Sequence, residues 1–500
     1  MAIEPSIRGV PRALAMDAWW LDTAPPGDGG RAQGGRTQPV SPSFLGAVLA
    51  LVVLADLLFW RQALGISVVL FAAALFALQV AMTRAPAWRR PALLLGLAAL
   101  PALDHVQPLS LAFLVAGLAT SLACLHRPAA PSALLLQIAL GFLRRLPRSW
   151  IKTLNPRASL TGLALQTPNS RVQTLRVFAR SWALPIGGSL IFAALLMQAN
   201  PVIAQLLDLR LDLVRLLQRL LFWFGTAIVV SPFLMPMAEP GPRGPKTFRF
   251  PVAVLRATFN AGSVLRALVV FNLLIAVQSL TDLSIITGGA ELPTGMTLAE
   301  YAHRGAYPLL ATAILAGVFA LAARPFLGEH HLIKPLLLAW LAQNTVLCAA
   351  AALRLDLYIA AFGLTYLRLY ALIWMGLVAV GLIMALVQVL RDRSNAWLLV
   401  RAVILGVATL YLCSFVNIAQ VIAAQNVTRS APDQNYLCSL GPLAAGPVVE
   451  SGIGQRHGDR IWLEGCALNV PEVQDWREWG FRTWAARRYV LRTESAKGEQ

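Results

Sequence analysis

Apolar residues in this chain come in long runs separated by short polar or basic stretches. Eleven runs stand out: Phe44 to Trp60, Leu64 to Met82, Ala92 to about Leu103, Leu109 to Leu125, Trp182 to Gln198, Leu220 to Met237, Ala267 to Ile286, Ala306 to Ala323, Pro335 to Leu353, Leu369 to Leu390, and Trp397 to about Ala423. Most are close to the ~20 residues a helix needs to cross a hydrocarbon core of about 30 Å. The pattern predicts an all-α, polytopic transmembrane helical bundle of about 11 spans. Two further stretches are amphipathic. Ser132 to Leu146 is too short to span and gathers its arginines at one end, which predicts an interfacial helix. Residues 204–219 mix Leu with Asp208, Arg210, Asp212, Arg215 and Arg219 and predict a surface helix.

This divides the chain into a polar, Pro- and Gly-rich arm (1–43), four spans (44–125), a basic loop with its interfacial helix (126–181), seven spans (182–423) and a hydrophilic tail (424–500). The arm lacks the early apolar core and cleavage site of a signal peptide and is expected to be disordered and cytoplasmic. Its Ala13 to Leu21 patch, with Trp19 and Trp20, is a candidate interfacial segment.

Composition agrees with lipid as solvent: 57% of the 500 residues are hydrophobic and 13% charged, against roughly 25% charged in soluble proteins. The net charge of +18 would suggest nucleic acid in a soluble protein. Its distribution argues otherwise, and no nucleic-acid partner is expected. With the N-terminus inside, segments 1–43, 83–91, 126–181, 239–266, 324–334 and 391–396 carry 0, +3, +9, +4, +1 and +1, and Arg401 brings the inside total to +19, leaving −1 outside. Lys and Arg mark cytoplasmic loops, so an N-in, C-out topology follows and the tail becomes an extracytoplasmic domain. The basic loop 126–181 is a candidate site for anionic lipid.

Of the five cysteines, Cys124, Cys348 and Cys413 lie in apolar runs, whereas Cys438 and Cys466 share the tail. In an oxidising compartment these two are expected to form a disulfide that staples a small domain. Asn469, with Glu472 three residues on, resembles a helix start. Trp476, Trp479, Phe481 and Trp484 would then form an aromatic face among Arg477, Arg482, Arg487 and Arg488. Asn426-Val427-Thr428 fits a glycosylation acceptor.

Phosphate-loop, nucleophile-elbow, His-Glu-x-x-His and Cys-x-x-Cys signatures are absent from the sequence. No cofactor, metal or catalytic residue is assigned. Glu329-His330-His331 reads as a solvated turn, since adjacent histidines seldom point at one ion. Polar residues instead gather at the outer helix ends: Asp104 and His105; Asp282, on one face with Gln278; Glu300, Tyr301, His303 and Arg304, after Thr297 as a capping-box start; and Arg354, Asp356, Tyr358 and Arg368 between the ninth and tenth spans. They are either anchors and ion pairs that lock helix ends, or an outward-facing polar cavity that binds a solute or handles a proton. Asn272, Gln278, Gln343 and Asn344 lie deeper, where amides commonly bond across helices. Asp56 lies near the outer end of the first span.

Two stretches, Gly288 to Pro308 and Arg354 to Arg368, resemble bacterial multispan proteins catalogued as domain of unknown function 4173, a relative of the 4153 group. Tyr436 to Gly441 and Asp475 to Trp479 look like the tail of that family, and the resemblance runs from roughly residue 180 to 490. It implies a bacterial inner-membrane protein and supplies no reaction or ligand. Three functional classes stay open. The first is a non-ATP-driven transporter-like or envelope-maintenance protein, and the second a sensor or scaffold using the tail and the basic loop. The third and weaker is an enzyme acting on lipid or cell-wall carriers.

Overall fold

The computed structural model describes residues 42–154, 213–235, 260–286 and 298–498, together with the isolated positions 185, 188, 189 and 192. The Trp19–Trp20 patch, the Asn200-Pro201 break and nearly all of the fifth apolar run lie outside the described residues. The chain divides into two compact units, Met1–Gly46 with Arg148–Leu216, and Ala47–Pro147 with Leu217–Gln500. The architecture below is that of the second.

Its membrane part begins with α1 (Pro42–Phe59), α2 (Ile66–Thr83), α3 (Arg89–Asp104), α4 (Pro108–His126) and α5 (Ser132–Leu154). It continues with α6 (Leu213–Leu234), α7 (Ala261–Ile286), α8 (Leu298–Ala323), α9 (Ile333–Phe362), α10 (Tyr366–Leu390) and α11 (Asn395–Cys413). Leu and Ala, both strong helix formers, dominate these segments. Seven helices among the described residues, α2, α4, α6, α7, α9, α10 and α11, are long and apolar enough to cross a membrane. The decisive feature is where their apolar side chains point. On α11, Leu399, Val400, Val403, Ile404, Val407, Leu410 and Leu412 are all at least half exposed, and Leu398 is the buried one. Water does not tolerate such a surface, whereas acyl chains do. The protein is an all-α multispan membrane protein.

Several boundaries differ from the sequence reading. The ninth run does not stop at Leu353: α9 continues to Phe362, so Arg354, Asp356 and Tyr358 ride on its last turns instead of a loop. The two charges among the last ten residues, Arg354 and Asp356, are tolerated because that end lies beneath the tail. The eleventh run breaks at Ser414, and its remainder forms α12 (Ile418–Val427), capped by the Asn417 side chain, which accepts from the Gln420 amide. The interfacial helix runs on through Pro147 to Leu154. Residues from Leu213 belong to the sixth helix and not to a separate surface helix.

After α12 the tail folds as α13 (Gln434–Ser439), α14 (Ala445–Glu450), an antiparallel sheet β1 (Gln455–His457), β2 (Arg460–Leu463) and β3 (Cys466–Asn469), and α15 (Phe481–Gly498). The sheet was not foreseen. Its turns use Gly458 and Gly465, both at positive φ, as two-residue hairpins require. Ile461 and Leu463 alternate inward and join Leu437, Val448, Leu468 and Val490 in a small core. The expected helix start at Asn469 does not occur: Asn469 ends β3, Trp476–Glu478 is a single 3-10 turn, and the helix begins at Phe481. Cys438 of α13 and Cys466 of β3 are joined by a disulfide spanning 28 residues.

Helix ends fall into two sets. Turns α1–α2, α3–α4 and α9–α10 and the end of α11 all touch the tail through contacts detailed below. Turns α2–α3, α4–α5, α8–α9 and α10–α11 are at the opposite end. Helix α6 fits the same alternation, with Arg219 beside Asp56 of α1 towards the tail and the Phe233 carbonyl accepting from Gln79 of α2 at the other end.

Closing a loop of this size by a disulfide restrains the unfolded chain by about 3 kcal/mol. Cys438→Ser is therefore expected to lower the tail's unfolding midpoint in a non-reducing denaturant titration, and a reductant is expected to abolish the difference from wild type.

Candidate functional site

The tail locks onto the membrane helices through one extended segment, residues 476–482. The amide of Ile66 donates to the Trp479 carbonyl at 2.8 Å and that of Ala63 to Glu478 Oε1 at 2.9 Å. Gly65 lies so close that a Cβ there would sit 2.2 Å from the Glu478 carbonyl carbon. Gly480 passes less tightly over the α3 terminus, with a Cβ 3.2 Å from the Asp104 carbonyl oxygen. Arg482 then turns inward. Its Nε donates to Asp104 Oδ2 at 3.0 Å and its Nη2 donates to the same carboxylate and to the Ser414 carbonyl. Both side chains of the pair are nearly buried, 7% and 13% exposed. Gln107 caps α4 and also reaches Ser414 O at 3.2 Å, so turns α3–α4 and α11–α12 meet at this arginine.

A second clamp holds the α9–α10 turn. Asn426 is 6% exposed. Its amide accepts from Leu364 N at 2.8 Å and donates to Leu364 O at 2.9 Å. This buried, fully engaged side chain removes the glycosylation reading. Arg429 donates to the carbonyls of Ile359, Ala360 and Ala361, and Arg368 to those of Phe362 and Gly363. Two guanidiniums thus bond the carbonyls at the end of α9 and oppose its negative pole. Arg368 also stands 4.4 Å over the Tyr358 ring, and the Tyr366 amide donates to Tyr436 Oη at 3.2 Å.

The expected outer residues therefore fall into separate groups. Asp104 and His105 belong to the Arg482 lock. Tyr358 and Arg368 belong to the α9–α10 clamp, with Arg354 buried one turn earlier. Asp356 is exposed on α9. Asp282, Glu300, Tyr301, His303 and Arg304 lie on the described backbones of α7 and α8, and their side chains lie outside the described residues. Helix α8 starts at Leu298, next to Thr297. Arg429 and Ser414 escaped the sequence reading, which placed Arg482 only beside an aromatic face and Asn426 only in a glycosylation pattern; it also missed the bond from Arg219 Nε to Asp56 at 2.9 Å, which is joined by Trp223. Nothing local marks partners separated by 378 residues.

Elsewhere, Asn272 of α7 donates to the Leu336 carbonyl of α9 at 3.1 Å. The side-chain oxygens of Asn272, Gln343 and Asn344 are buried without a donor among the described residues. His330 and His331 stack at 4.7 Å, and among the described residues no group of three His, Cys, Asp or Glu could hold a metal. A cavity of about 230 Å³ opens at the end away from the tail, lined by Pro86, Ala87, Arg89, Arg90, Pro91, Cys124 and Pro128.

A family described as "Domain of unknown function (DUF4153)" matches residues 44–451. The chain belongs to that family. This corrects the resemblance to the 4173 group. Both quoted motifs, Gly288 to Pro308 and Arg354 to Arg368, fall inside the match. The family also takes in the first four helices, which the motif resemblance left out, and ends before the Asp475–Trp479 stretch. Short motifs around two turns carried too little of the chain to separate related families. No curated protein and no solved structure matches the chain.

Removing one partner of a buried ion pair costs about 3–5 kcal/mol, because the other charge is left buried. Asp104→Ala is expected to free the tail, raising hydrogen exchange at Ile66 and across α15, while Asp104→Glu retains partial protection. Burial, followed by the Arg482 charge, holds His105 below its ordinary value near 6.5, against a smaller opposing pull from Asp104. The folded protein thus keeps this ring neutral where the unfolded chain protonates it. Stability is fully present above pH 6.5 and falls as pH drops from there towards the folded value. Melting temperatures between pH 8 and 5 are expected to decline less steeply for His105→Gln.

Proposed function

We propose that this is a bacterial inner-membrane protein of the envelope-maintenance kind, with its C-terminal domain outside the cytoplasm as a fixed cap. The carrying observation is the lock of Arg482 on Asp104 and Ser414, by which the tail ties together the ends of α3 and α11. A domain fastened in this way is suited to present a constant surface to other envelope components. The assignment of sides is supported by charge and by cysteine chemistry. The end away from the tail carries Arg84, Arg89, Arg90, Arg127, Arg324, Lys334, Arg391 and Arg393 against Glu329 and Asp392, which favours the cytoplasm. The Cys438–Cys466 bond suits an oxidising exterior. The cavity beside Arg89 and Arg90 supports anionic headgroups as partners of the basic end, each basic residue near such a surface contributing about 1 kcal/mol.

An outward-facing solute site is less favoured, because Asp104 and Arg368 are committed to structural bonds. A carrier remains the second reading on one observation. Three side-chain amide oxygens, of Asn272, Gln343 and Asn344, lie inside the helices without donors among the described residues, where an unsatisfied polar group is costly.

In a deletion strain with an envelope defect such as detergent sensitivity, a capping role requires that Asp104→Ala fail to complement. Asn344→Ala should complement fully. The reverse pattern would select the carrier, and alkaline phosphatase fused after Gln500 should be active if the tail is outside.

A further inference from the structure

The locking segment exposes an unusual set of side chains. Trp476, Phe481 and Trp484 are 56%, 51% and 38% exposed, although they flank a stretch pressed against the membrane helices. Their height is fixed by the contacts already described. Glu478 and Trp479 bond to the α1–α2 turn, and Gly480 and Arg482 cover the last residue of α3. The aromatics are thus held beside the ends of α2 and α3 while the lock holds. The helices carry rings at this end too. Trp60 lies just before Ala63 and packs on Phe222 at 5.5 Å, and Arg219 stands 5.9 and 5.5 Å over Trp60 and Trp223. The tail aromatics continue that belt.

We propose that Trp476, Phe481 and Trp484 form a membrane-interface anchor, dipping into the headgroup boundary of the leaflet on the tail's side. Tryptophan favours that zone, because its ring is amphipathic and its N–H finds partners among headgroups. Arginines complete the fit. Arg477 lies 5.7 Å over Trp476, and Arg488 lies 4.8 Å over Trp484. Each places a guanidinium beside a ring at the height of lipid phosphates, the arrangement by which long basic side chains reach the interface. The occupant is the bilayer, because the segment is bonded to the ends of α2 and α3, whose Leu70, Leu97 and Leu100 near those ends are exposed as lipid-facing side chains are. The anchor holds whichever compartment the tail occupies, so it stands or falls separately from the proposed envelope role.

Full-length protein in lipid nanodiscs tests this directly, in a background where Cys124, Cys348 and Cys413 are replaced by Ala. Spin labels on Trp476→Cys, Phe481→Cys and Trp484→Cys are expected to collide more with oxygen, which partitions into lipid, than with a water-soluble nickel chelate. A label on Trp462→Cys, exposed on β2, serves as reference and should show the opposite preference. Nickel preference at all three sites would overturn the anchor, as would shielding from both reagents, which would mean that protein covers the patch. Fluorescence of the unlabelled protein gives a second readout. Lipids brominated near the headgroup should quench wild type more than the Trp476→Ala, Trp484→Ala double variant, and equal quenching would overturn the proposal.

Discussion

A helix that is apolar around its whole circumference can be exposed only where no water competes for the surface. That constraint governs this molecule, and α11 states it most plainly, with one buried side chain among nineteen residues. In hydrocarbon every backbone group must find its partner within the helix, and association between helices rests on close contact and a few polar bonds. Gly117 illustrates the first kind of adhesion: a Cβ there would lie 2.0 Å from that of Ala98, so α3 and α4 meet almost backbone to backbone. The bond from Asn272 to the Leu336 carbonyl illustrates the second.

The polar work is therefore moved to the ends of the helices. There the chain can satisfy carbonyls and charges with side chains drawn from far away in sequence. Arg482, Arg429, Asn426 and Gln107 all serve turns that they do not belong to. The tail is less an appendage than the missing half of those turns. Its own core is thin, and the bond between α13 and β3 makes up part of the deficit.

How much of this could be read from sequence depends on whether the physical signal is local. Apolar length is local, and the described helices lie where the runs put them. The alternation of the described turns between two ends of the bundle could be read for the same reason, because each run crosses once. The extension of α9 through Arg354 and Asp356 could not, since charges ordinarily mark an exit from lipid and only the cap above explains them. Asn426 misled because a three-residue pattern says nothing about burial. The sheet was missed although Gly458 and Gly465 punctuate it at hairpin spacing, because strands of three and four residues are too short to show a clear alternation. Asp104 and His105 drew notice as polar residues at a helix end, but the partner that bonds Asp104 is the distant Arg482.

The end of α9 carries one more implication. Five successive carbonyls, from Ile359 to Gly363, are held by Arg429 and Arg368. Because α9 packs against α7, α8 and α10, it is the axle of the larger helical group. Turning or sliding that axle would strip several charge-assisted bonds at once or drag α12 along with it. The end of α9 and the start of the domain above are thereby bound to one another, so neither can shift alone without breaking those bonds.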